Sequence, residues 1–160
     1  METTDDELAG IVDLFGGLTR PELERALEEV AFRSDGQSVE VSVARDTIDG
    51  AIAEFGLLAL PENGAGSEEE TLLVPGPTAL PRIHEHAEDL PHILDIDPRD
   101  PARQRVVTAA LERFEREVER AVSRGDHHRC ETLLEVSYDL EAWADVNVSE
   151  SRDRLLAVTE

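Results

Sequence analysis

The stretch EFGLLALPENGAGSEEETLLVPGPT, residues 54–78, constrains the fold more than any other part of the chain. It reads as a helix end, a short apolar strand, a polar loop and a second apolar strand. LLAL (57–60) and TLLV (71–74) are the strands. The intervening PENGAGSEEE (61–70) is too long for a tight turn and has the composition of a hairpin tip. Gly56 stands where a left-handed C-cap would close the preceding helix.

Everything before this hairpin reads as helical, with one exception. Leu8, Ile11, Val12 and Phe15 make one apolar stripe over residues 5–16, ended by Gly16 and Gly17. In LTRPELERALEEVAF, Thr19 and Glu22 have capping-box spacing and Leu18 and Leu23 that of a hydrophobic staple. Leu23, Leu27 and Val30 form the buried stripe of this second helix, which should run to about Arg33. The exception is SVEVSV (38–43), where alternating Val39, Val41 and Val43 predict a short strand. A third helix then opens at Ser42 or Asp46, with Ile48, Ile52 and Phe55 as its apolar face. Three helices and a hairpin are the order of a winged helix-turn-helix. The expected fold class is therefore mostly α with a small β-hairpin, the winged helix-turn-helix-like part covering residues 1–78.

Six of the eight prolines fall in residues 75–101, which stops long helices there. Residues 79–100 are expected to be an ordered, irregular connector with one helical turn near RIHEHAEDL, held by Leu80, Ile83, Leu90, Ile93, Leu94 and Ile96. Residues 101–160 predict a helical hairpin and a short final helix. The long helix carries a seam of Val107, Leu111, Phe114, Val118 and Val122, suited to an internal core or a dimer interface, and a Glu112–Arg116 pair. Gly125 ends it and Asp126 caps the next, which places Cys130, Leu133, Leu134, Ser137 and Leu140 on one side. Asn147, with Glu150 as box partner, caps the last helix, which buries Leu155 and Val158. Tyr138, Trp143 and His92 are expected to lie in a packed seam.

Composition narrows function. There are 37 acids against 15 bases, every base is arginine, and the formal net charge is −22. Such a surface keeps its hydration in concentrated salt and repels itself in dilute buffer. It excludes a basic membrane-binding patch, and no run approaches the ~20 apolar residues of a membrane span. METTDDELAG lacks the basic and apolar regions of a secretory signal, so the expected location is cytoplasmic. Cys130 is the lone cysteine and has no disulfide partner.

No reactive centre emerges. His84, His86 and His92, and His127, His128 and Cys130, are the two groups a metal would use, but neither has a zinc-site spacing. PENGAGSEEE lacks the GK[ST] ending of a phosphate loop. No catalytic, cofactor-binding or metal residue is assigned, and no small-molecule ligand is evident. If residues 43–55 were a recognition helix, Arg45, Asp46, Asp49, Ala53 and Glu54 would face outward, and three acids there oppose phosphate. Residues 99–129 hold eight arginines against six acids, a pattern of ion pairing along exposed helix faces.

DELAGIVDLFGGLTRPELERALEEVAF, LLVPGPTALP, AEDLPHILD and VSYDLEAWADVNVSESRDRLL together resemble an uncharacterised family of small acidic proteins from halophilic archaea. The resemblance spans nearly the whole chain. It implies a cytoplasm rich in potassium chloride and no activity. The expected function is a non-enzymatic interaction or regulatory module with a protein partner or a second copy. The alternative is a winged-helix DNA-binding regulator acting through residues 43–55 and 61–70; a small metal-dependent enzyme using the histidines ranks third.

Overall fold

A computed structural model of the chain describes residues 4–35, 41–61, 71–82 and 87–160. The elements are α1 (Asp5–Phe15), β1 (Leu18–Thr19), α2 (Arg20–Asp35), α3 (Val41–Ala53), β2 (Leu57–Pro61), β3 (Thr71–Pro75), α4 (Leu90–Ile93), α5 (Arg103–Arg124), α6 (His127–Trp143) and α7 (Ser149–Thr159). The described residues are thus mostly helical, with one small antiparallel sheet of order β1-β3-β2. The chain divides into two compact units, Met1–Ala102 and Arg103–Glu160.

In the first unit, Thr4 caps α1 and Gly16 closes it at φ 79°. Both capping-box bonds of α2 form: the Thr19 N–H donates to Glu22 Oε1 at 2.9 Å, and the Glu22 N–H to Thr19 Oγ1 at 3.4 Å. Leu18 and Thr19 do double duty, since they also pair with Leu73 and Leu72 as a third strand. That strand is too short to leave a periodic signal. The expected hairpin forms with Leu57 opposite Pro75 and Pro61 opposite Thr71; its tip, 62–70, lies outside the described residues. Leu72, Leu73 and Val74 are all buried, so the central strand is covered on both faces and does not alternate.

Two expectations in this unit are corrected. Val41 and Val43 belong to α3, not to a strand; Val39 lies outside the described residues. Ala44, Ile48 and Ala51, at helical spacing, reach the core, and their burial outweighs the weak β preference of the valines. The left-handed residue after α3 is Phe55 (φ 64°) and not Gly56. Holding a phenylalanine there costs about 1–2 kcal/mol. Burying its ring completely returns about 1.5–3 kcal/mol, so the strained turn is held by the core.

The first unit has one core. Leu8, Ile11, Val12 and Phe15 of α1 meet Leu23, Leu27 and Val30 of α2, Ile48 of α3, and Leu57 and Leu73 of the sheet. The proline-rich segment joins it through Ala79, Ala87, Leu90 and Leu94, whereas Leu80 is 78% exposed and Ile93 points outward. Ile83 lies outside the described residues. Backbone bonds tie the segment to α1: the Arg82 N–H donates to Asp6 O at 3.0 Å and the Arg99 N–H to Phe15 O at 2.7 Å. The Arg99 guanidinium then donates to Gly17 O (3.1 Å) and, through both nitrogens, to the Glu22 carboxylate (2.8 and 3.3 Å).

In the second unit α5 and α6 run antiparallel, as the Arg129–Glu117 pair (2.6 Å) and the Arg103 bond to Trp143 O require. The buried line of α5 is Val106, Ala110, Phe114, Val118 and Ala121. Val107, Leu111 and Val122, expected at its centre, are half-buried flanks. Alanines on the central line let neighbouring helices approach closely, which the larger residues would prevent. The i, i+4 pair that forms is Arg113–Glu117 (2.9 Å), in place of Glu112–Arg116. Asp126 caps α6 as expected, accepting from the Arg129 N–H at 3.1 Å. Asn147 accepts from the Ser149 N–H at 2.9 Å but stands one residue before the N-cap, Val148, whose N–H donates to Glu141. Leu155 is fully buried and Val158 half-buried.

Candidate functional site

The outward face of α3 is the surface the sequence singled out for recognition. Ala44, Ile48 and Ala51 turn one side of the helix into the core. The 3.6-residue period then turns Asp46, Asp49, Gly50 and Ala53 outward, and all four are exposed, as are Arg45 and Glu54. Two ion pairs fasten α3 to α2. Arg20 Nη2 meets Asp49 Oδ1 at 2.6 Å, and Arg45 Nε meets Glu24 Oε1 at 3.4 Å. The cations nearest this face are therefore held by carboxylates of the protein itself.

Gly50 sits in the middle of the face, and a Cβ placed there meets nothing within 4 Å. Among the described residues no packing requires glycine at this position. In an exposed helix interior it costs about 0.5–1 kcal/mol relative to alanine. Gly50→Ala is thus expected to raise the urea midpoint of the first unit by an amount worth about 0.5–1 kcal/mol, read by far-ultraviolet circular dichroism.

Negative potential accumulates around the ends of α1 and α3. Burial first, then the charges of Glu54 and Asp6, push the Asp5 carboxyl above its ordinary range. Asp6 is occupied by the Leu80 N–H at 2.9 Å. Glu22 behaves oppositely. Burial acts to raise it, but the hydrogen bonds from Arg99 and Thr19 outweigh burial and hold the carboxyl below its ordinary range. Glu22 therefore contributes stability that is present above its unfolded value of 4.5 and is lost as pH falls through the lower folded value. Unfolding free energies measured from pH 6 to pH 3 should fall in this window, and Glu22→Gln should flatten the fall.

The remaining candidates do not converge. His92 is exposed on α4; His127 and His128 are exposed while Cys130 is fully buried, so they share no surface. Burial, and then Asp126, raises the Cys130 thiol and keeps it protonated. Among the described residues no three His, Cys, Asp or Glu side chains gather for a metal; His84, His86 and residues 62–70 lie outside what is described. Tyr138 is 58% exposed with Arg152 stacked 4.3 Å from its ring centroid, and half-buried Trp143 carries Arg103 at 4.1 Å. The packed-seam expectation thus fails for Tyr138 and His92, whose positions on α6 and α4 face outward. Among the described residues no helix is long and apolar enough to cross a membrane.

A family model described as a family of unknown function, DUF7109, matches residues 6–160. No curated protein and no solved structure is matched.

Proposed function

We propose for this chain, which belongs to the DUF7109 family of unknown function, the role of a non-enzymatic interaction module: a winged-helix-like scaffold whose α3 face receives a protein partner. The succession α1-β1-α2-α3-β2-β3, with β3 between β1 and β2, supports the winged-helix reading of the first unit. The observation that carries the function is the make-up of the α3 face. Gly50 and Ala53 form a low, open centre, and Asp46, Asp49 and Glu54 border it. A glycine that no described residue packs against supports close approach of another backbone. The carboxylates favour a partner bearing arginine or lysine and oppose phosphate. Haloarchaeal origin and a cytoplasm rich in potassium chloride fit the lysine-free surface of charge −22.

Gly50→Trp tests the reading, since a Cβ there meets no described atom within 4 Å, and circular dichroism checks that the larger ring leaves the fold intact. Co-purification from the native host in about 2–3 M KCl should recover a stoichiometric protein with wild type and not with Gly50→Trp. Equal recovery with both removes the α3 face from the interaction. DNA binding that strengthens with KCl and disappears in Arg45→Ala would instead establish the regulator reading.

A further inference from the structure

We draw no further inference here: the strongest candidate, the apolar surface patch at Phe32 near the end of α2, 61% exposed where Phe15, Phe55 and Phe114 are fully buried, carries nothing because nothing in the structure shows what covers it.

Discussion

Gly16→Ala is expected to destabilise the first unit by roughly 4.5–7 kcal/mol, comparable with the whole stability of a marginal domain. Two independent costs fall on this residue. Its φ of 79° lies in the left-handed region, where a side chain costs about 1–2 kcal/mol. A Cβ would also stand 1.6 Å from the Arg99 carbonyl oxygen, and a backbone atom cannot rotate away as a side chain can. Relieving that clash means pulling Arg99 off α1. The bond from the Arg99 N–H to Phe15 O then breaks, together with the guanidinium bonds to Gly17 O and Glu22. Net values of about 1 kcal/mol for the neutral bonds and about 1.5–3 kcal/mol for the charged one give the range stated. Arg99→Ala removes only the side-chain bonds and should cost less, about 2.5–4 kcal/mol. Urea unfolding of both variants in the same KCl concentration checks the order. A Gly16→Ala protein within about 1 kcal/mol of wild type would mean that α1 and the Arg99 segment do not approach as described.

Phe114→Ala is the second large effect, in the other unit. Phe114 is fully buried at the middle of α5 and is the one aromatic ring of residues 103–160 with no exposed surface. Ala110 and Ala121, next to it on the buried line, are too small to close the space it would leave. Such a deletion costs about 3–5 kcal/mol. A unit spanning 103–160 has on the order of 3–9 kcal/mol of stability to lose. Trp143, the only tryptophan, lies in this unit, so its fluorescence follows the unfolding of α6. The midpoint should collapse in Phe114→Ala and shift by only about 1 kcal/mol in Phe114→Leu. A small shift for the alanine variant would show that the helices can close around the vacancy.

These two residues mark what the sequence could and could not convey. Local chemistry was legible: the Thr19–Glu22 box, the 57–61 and 71–75 strands, and the Gly125–Asp126 turn are each written within a few neighbouring residues. What depended on distant partners was not. Leu18 and Thr19 read as a staple and a cap because their third role, as a strand, exists only through Leu72 and Leu73. The valines of SVEVSV have the alternation of a strand, and the packing of Ala44, Ile48 and Ala51 places Val41 and Val43 in a helix. On α5 two adjacent apolar lines compete, and the larger residues suggested Val107, Leu111 and Val122. The close approach of α6 and α7 selects the line through Ala110 and Ala121 instead.

The candidate face shows the same division. Periodicity alone turned Asp46, Asp49 and Ala53 outward. The significance of Gly50 rests on the empty space around it, and the pinning of Arg45 and Arg20 on Glu24 and Asp49 across two helices. Neither is a sequence pattern.

A photoreactive phenylalanine at position 50 tests the central claim, that the α3 face meets protein, most directly. A Cβ there meets no described atom within 4 Å, and circular dichroism checks that the substituted protein is folded. Irradiation in the native host at its own salt concentration should give a discrete adduct that protease destroys and nuclease leaves unchanged. An adduct removed by nuclease, or no adduct at position 50 while the protein remains folded, would contradict the account.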